Sequence, residues 1–349
     1  MNMQKITLDC TILIPTYNRP KYLKRLLEYY NKYTKYKFSI FVADSSSEEN
    51  KKINKENILI FSNLNLKYLE FPDKITLFDK LLSTLSQIKT EYCVICADDD
   101  FILVSGLESS LEFLNNNLEY AIAHGNYISF YIKDKDNIYW NNTYNTAPSS
   151  SSDPLERFRV HVSTYPSPPT FYAVHRTDFI KKIFKMVTSS GISSTILLEL
   201  YFAGLSSIHS KIEILDIFYS MKNTNYLREE YIPNVNEVIN NNLYSDEYDK
   251  FIKLLSLELS KKTNIQLETS EEIIIECLNI YINNTFKPNS VKRKELFYKL
   301  KLKMIYEIGR KLFRKFIPRK QYLFSPDKLP KQYVDEFYSV IKVCLNENS

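Results

Sequence analysis

Asp98, Asp99 and Asp100 stand side by side at the end of a short apolar run, Tyr92 to Ala97, in the stretch EYCVICADDDFIL. Three adjacent carboxylates repel one another, and holding them at a strand end calls for a cation or a ring of donors. A hard divalent ion with oxygen ligands is the simplest such partner, which makes the triplet a candidate metal-assisted site. The competing reading is a solvated acidic turn, or a cap for the next helix. That helix has its own start signal in Ser105, with Glu108 three residues on, a capping box that needs no aspartate. The triplet is thereby free for chemistry.

The chain around it has 349 residues, enough for two domains or for one α/β domain with a substantial addition. Hydrophobic residues at 44% and charged residues at 25% call for a packed core and exclude global disorder. There are only 5 glycines, so no glycine-rich loop can cradle phosphates. A phosphorylated ligand must then be neutralised by cationic side chains, helix termini or a metal. The 5 cysteines, Cys10, Cys93, Cys96, Cys277 and Cys344, are odd in number and irregular in spacing, which suits a reducing compartment. Cys93 and Cys96 lie three apart in a strand, point to opposite faces and read as core thiols. No run reaches the roughly 18 apolar residues of a membrane span, so the expected location is the cytoplasm.

The elements that must position the aspartates alternate. Thr11 to Ile14 reads as a strand, Asn18 and Pro20 as a helix start, and Lys21 to Tyr33 as a helix with one apolar face. Phe38 to Ala43 is a second strand ending at Asp44. Ile58 to Phe61 and Lys67 to Phe71 are weaker strand candidates, and Ile75 to Gln87 is a helix. Strand, helix and strand in that order imply a parallel pair, with ligands gathering beyond the carboxyl ends of the strands. Thr16 to Arg19, Asp44 and Asp98 to Asp100 therefore belong on one rim, facing a crevice that suits a nucleoside diphosphate.

ILIPTYNRPKYLKRLL, VADSS and EYCVICADDDFIL together resemble the nucleotide-binding half of family 2 glycosyltransferases, most closely a bacterial subgroup with a DDD motif, over roughly residues 10 to 220. The resemblance implies the GT-A fold, an α/β Rossmann-like mixed sheet flanked by helices. It implies that Asp44 bonds the nucleotide base and that Pro15, Thr16, Tyr17 and Arg19 line the same pocket. The acidic motif is expected at the ribose, holding Mn²⁺ or Mg²⁺ on the diphosphate. Asp100 is favoured for the metal, Asp98 and Asp99 being the alternatives, with Asp98 nearer the sugar nucleotide. Lys74 falls where the family often places a residue near the sugar nucleotide, although the usual asparagine and glycine pattern is missing. An acid on a later helix serves the family as catalytic base; here Glu199 is the candidate and Asp178 the reserve. Ser193, Ser194 and Thr195 stand where an acidic pair is usual.

Glu199 is also singled out by its setting, since a lone glutamate in an apolar run must be explained. The alternative is that it faces solvent or pairs with a lysine. Tyr120 to Tyr131 alternates like a strand through His124, which either approaches a ligand or is a satisfied structural histidine. Lys133 to Ser152 reads as an exposed loop or hairpin. Asp153, Pro154 and Glu156 mark a helix start, and Phe171 to His175 a strand.

The expected organisation is a GT-A domain over 1–225, divided at 103 into nucleotide-binding and acceptor halves, then a mostly helical C-terminal region over 226–349. There a capping box at Thr269 and Glu272 precedes an apolar helix, and Val291 to Lys320 carries a basic amphipathic pattern. That pattern fits either an anionic membrane surface or a solvated face of a docked helix. No nucleic-acid motif accompanies it. The expected activity is inverting, metal-dependent transfer from a nucleotide-diphosphate sugar to a hydroxyl of a glycan or lipid-linked acceptor, as in bacterial surface polysaccharide synthesis. The rivals are a metal-dependent nucleotidyltransferase or phosphohydrolase, and a non-catalytic membrane-surface assembly module.

Overall fold

A computed structural model of the chain describes residues 6–33, 35–134, 137–142, 148–163, 170–224, 237–238, 245–286 and 331–345. Strand β1 (Ile6–Thr16) leads into helix α1 (Pro20–Asn31), β2 (Tyr36–Asp44), α2 (Glu48–Ile60), β3 (Asn65–Glu70), α3 (Leu77–Leu85), β4 (Tyr92–Ile95) and β5 (Asp100–Ile102). There follow α4 (Val104–Asn116), β6 (Tyr120–Asp134), β7 (Asn137–Asn142), α5 (Pro154–Ser163), a 3₁₀ turn (Thr170–Tyr172), β8 (Val174–Arg176), α6 (Thr177–Thr188), α7 (Thr195–His209) and β9 (Lys211–Asn223). Three further helices are α8 (Ser245–Thr263), α9 (Leu267–Phe286) and α10 (Lys331–Leu345).

The strands form one mixed sheet in the order β3-β2-β1-β4-β8-β6-β9-β5, with β7 paired to β6. The first four neighbours are parallel, as strand–helix–strand repeats require, and β8 then runs antiparallel to β4. Successive residues of β1 and β4 face opposite sides. Cys10, Ile12, Ile14, Tyr92, Val94 and Cys96 join the core under α1, α4 and α10, whereas Leu13, Cys93 and Ile95 join the one under α3, α5, α6 and α7. Cys93 and Cys96 are the expected core thiols on opposite faces; burial pushes both up to about 12. Both cores draw on the C-terminal helices: α8 and α9 complete the second, and α10 the first. The basic stretch Val291 to Lys320 lies outside the described residues. Among the described residues no helix is long and apolar enough to cross a membrane.

Three local readings are corrected, and one strand went unforeseen. Ile58 to Phe61 is not a strand but the end of α2, started by the Ser47 cap and by Glu48 and Glu49 in its first turn. Leu59 and Ile60 are exposed there, so an apolar pair at a helix end mimics a strand. Thr269 lies inside α9, whose Ser270 N–H already bonds the carbonyl of Gln266. The Ser105–Glu108 box does not form, because α4 begins at Val104 with Leu103 at the cap position, which puts Ser105 inside the first turn, and Glu108 instead accepts from the Tyr36 hydroxyl at 2.8 Å. β9 has no counterpart among the expected elements.

Candidate active site

The carboxyl ends of β1, β2 and β4 bring Thr16, Arg19, Asp44 and Asp98 to Asp100 to one rim. Asp44 is fully buried and accepts three hydrogen bonds. They come from the Ser46 backbone N–H at 2.7 Å, Asn54 Nδ2 of α2 at 2.7 Å and the Tyr68 hydroxyl of β3 at 2.6 Å. Lys80, on the first turns of α3, reaches in from the other face of the sheet. Its Nζ donates to the Thr16 carbonyl at 3.0 Å and to Ser45 Oγ at 2.8 Å, and burial lowers it to about 8. Asn18 holds the intervening loop in the left-handed region, at φ 54°, a conformation asparagine tolerates. Its Oδ1 accepts from the Ser47 N–H at 2.9 Å and from Asn50 Nδ2 at 3.0 Å. The loop so pinned leaves Pro15 half-buried on β1 and Tyr17 52% exposed at the mouth.

Asp98 accepts from Thr16 Oγ1 at 2.7 Å and pairs with Arg19 Nη1 at 3.2 Å. The same Nη1 lies 3.2 Å from Asp99 Oδ2. Burial, then the neighbouring Asp99, raises Asp98 to about 6 against the opposing pull of Arg19. Arg25 of α1 donates to the Asp99 carbonyl at 3.0 Å and stacks its guanidinium on Tyr22 and Phe101. Asp100 opens β5 opposite Lys222 of β9. Its Oδ1 accepts from the Asn223 N–H at 3.1 Å, while Lys222 Nζ stands 3.7 Å from Oδ2. Burial raises Asp100 to about 7.

Lys222 Nζ also lies 4.4 Å from the centre of the Tyr172 ring. Burial raises the Tyr172 hydroxyl, and the charges of Lys222, Glu199, Asp100 and Asp99 all act on it. Glu199 lies on the exposed side of α7. Its apolar neighbours Leu197 and Leu198 are buried and it is not, so the premise of a buried lone acid is corrected. Asp178 does not join them. β8 is antiparallel to β4, pairing Arg176 with Tyr92, so α6 begins at the opposite rim. Lys74 is exposed in the turn before α3. His124 is buried, with Nδ1 2.8 Å from the Gly125 carbonyl and its ring against Tyr127 and Tyr219, a structural histidine.

Among the described residues no group of three or more His, Cys, Asp or Glu could cage a metal ion alone. A diphosphate-bound Mn²⁺ or Mg²⁺ needs less: one or two carboxylates, with phosphate oxygens and water completing the shell. Asp100 meets that need, being a buried carboxylate from which Lys222, its cationic neighbour across the strand pair, stands beyond hydrogen-bond reach. The donor set therefore fits such an ion.

Lys80, Asn54, Tyr68, Arg25 and Lys222 were not foreseen as site residues. Lys80 lies between Phe78 and Leu81 on a helix that reads as amphipathic. Lys222 follows the uneven apolar run from Ile212 to Met221. The only signal in either case is a lysine adjoining a buried run.

A parallel half-sheet with acids at its rim, extended by strands of mixed direction and flanked by helices, is the architecture of GT-A glycosyltransferases. The sequence agrees: the model of glycosyl transferase family 2 matches residues 11–184, and the chain belongs to that family. The structure is similar to S. aureus TarS 1–349 in complex with UDP-GlcNAc, at a TM-score of 0.52 and 15% identity over 79% of this chain and 73% of that one. With the UDP complex of the same protein the TM-score is 0.50, at 16% identity over 80% and 73% of the two chains. Against longer TarS, 79% of this chain matches 44% of that one at a TM-score of 0.50 and 14% identity, so it spans less than half of that length. A search of the curated proteins finds no significant match.

Proposed function

We propose that the chain is an inverting, metal-dependent glycosyltransferase that moves a sugar from a nucleotide-diphosphate sugar to a hydroxyl of a glycan or lipid-linked acceptor. The observation that carries this reading is the convergence on one rim of Asp44, Thr16, Arg19 and Asp98 to Asp100. In it, Asp44 with its ring of donors shapes the base pocket, the exposed Tyr17 covers the nucleotide, and Asp98 and Asp99, held by Arg19, meet the ribose. Asp100 holds the divalent ion, which when bound neutralises charge on the leaving diphosphate. Glu199 takes the proton from the acceptor hydroxyl as it attacks the opposite face of the anomeric carbon, a step typically contributing roughly 10²–10⁴-fold. TarS, a fold neighbour crystallised with UDP-GlcNAc, makes a uridine nucleotide the first donor to try.

The catalytic unit in this reading is 1–225, with 226–349 attached to it and Val291 to Lys320 meeting an anionic membrane at its cytoplasmic face, where surface polysaccharides are built. Vesicles with and without anionic lipid test that attachment. The activity is tested by a thermal-shift screen of nucleoside diphosphates with and without Mn²⁺, because a ligand of the native state raises apparent stability as RT ln(1 + [L]/Kd). A Mn²⁺-dependent shift with one base, and release of nucleoside diphosphate from the matching sugar nucleotide, are the expected results. Release of pyrophosphate from a nucleoside triphosphate would replace this reading with nucleotidyl transfer.

A further inference from the structure

The first turn of α4 has no cap of its own. Leu103 occupies the cap position, with no side-chain hydrogen bond, and Glu108 is engaged by Tyr36. The N–H groups of a helix start have no intrahelical partners, and burying one unsatisfied is costly. They are met here by a residue more than two hundred positions away. Glu336 of α10 accepts with Oε1 from the Val104 N–H at 2.5 Å and from the Tyr29 hydroxyl at 2.5 Å. Its Oε2 accepts from the Ser105 N–H at 3.3 Å and from the Ser105 hydroxyl. Glu336 is 3% exposed.

The grip reaches the acidic motif through short, ordered chain. Val104 lies four residues after Asp100, with β5 between them and the Leu103 N–H bonded to the Tyr219 carbonyl at 2.8 Å. α10 also touches the partner strand, since Tyr333 packs on Phe218, four residues before Lys222, with ring centres 5.4 Å apart. Phe337, Val340, Ile341 and Val343 seat the helix in the core shared with α1 and β1. One helix thus braces both strands of the Asp100–Lys222 pair, at the end away from the charges.

We propose that Glu336 is a positioning residue: by capping α4 from outside, it fixes the orientation of Asp100 at the donor diphosphate. This rests on the donor-site reading above, and Glu336 touches no reacting atom. The test uses the full chain and three variants. Glu336→Gln places an amide donor where a carboxylate oxygen accepts, so at most one arm of the fork survives. Val340→Ala loosens the same helix without touching the cap. Ser105→Ala removes one donor from outside the core and keeps the test open if Glu336→Gln fails to fold.

Two quantities are read: amide hydrogen exchange over Asp98 to Ser105, and the dissociation constants of UDP, GDP and CDP with Mn²⁺. In Glu336→Gln, exchange over Asp98 to Ser105 is expected to rise while α10 stays protected, and the best nucleotide to bind about tenfold more weakly. Ser105→Ala should move both in the same direction by less, and Val340→Ala should raise exchange in α10 with affinity within about twofold of wild type. Unchanged exchange over Asp98 to Ser105 in both cap variants overturns the proposal. So does equal weakening of nucleotide in Val340→Ala, which would make α10 packing and nothing more. Exchange that responds in a protein whose wild type binds none of the three nucleotides upholds the brace and overturns the donor-site reading instead.

Discussion

Asp100 is where burial and charge are in conflict: a carboxylate shut away from water, one backbone donor on it, and a lysine too far to bond. An ion at that place resolves the conflict, so exchange of Asp100 for Ala is expected to abolish both turnover and Mn²⁺-dependent nucleotide binding. Transfer at the wild-type rate in that variant would take the metal out of the mechanism. Glu199→Gln separates the second role, with donor binding retained and transfer reduced by about 10²-fold or more; an unchanged rate would move the base to another residue, and the opposite-rim placement leaves Asp178 no claim to it. At this scale the acids were legible because like charges at a strand end must be compensated, which needs no knowledge of the fold. Their partners were not. Lys80 and Lys222 arrive from elements remote in sequence, and nothing local distinguishes them from solvated lysines.

At the scale of elements, a glycine inside α4 makes a close backbone approach to the strand that carries Lys222. A Cβ on Gly106 would sit 2.6 Å from the Phe218 carbonyl oxygen and 2.7 Å from the Tyr219 Cα, both backbone atoms of β9. Alanine there, although the better helix former, must push α4 off the strand that carries Lys222. Gly106→Ala is expected to cost about 1–3 kcal/mol in chemical denaturation, as overpacking does, with nucleotide affinity falling too; a gain in stability would mean that helix and strand separate freely. The parallel half of the sheet was readable because β1, β2 and β4 are apolar runs with buried cores that end in polar loops, whereas β3, with no fully buried residue, gave only a weak signal. β9 escaped for the opposite reason: along most of its length it is only half-buried, and without a clean alternation a strand carries little signal. α2 was mistaken in part because its exposed end holds Leu59 and Ile60, while its informative feature, the Ser47 cap, lies a dozen residues earlier.

Across the whole molecule, all 4 histidines are held neutral by burial. His124, His175 and His209 are lowered to about 4 and His161 to about 3. Folded values below the ordinary 6.5 mean stability that is present above pH of about 6.5 and lost as pH falls toward 4, where the unfolded chain takes up protons that the folded one refuses. Asp98 and Asp100 work the other way, since their raised values add stability as pH falls through 7 and 6. Glu213 and Glu336, also raised by burial, act in the same sense as the two aspartates but from smaller shifts, and the four imidazoles, each contributing a slope of at most about 1.4 kcal/mol per pH unit, outweigh them together. The urea midpoint is therefore expected to fall between pH 6 and 4.5, and a level or rising midpoint would count against neutral buried imidazoles. What no stretch of sequence could disclose is that α10 returns to brace a turn it follows by 232 positions. At roughly 5–20 residues per second of translation, a growing chain would carry its aspartates unsupported for on the order of 10–50 s. With Glu336 positioning Asp100 as proposed, a newly made molecule is expected to bind nucleotide only after residue 336 has emerged.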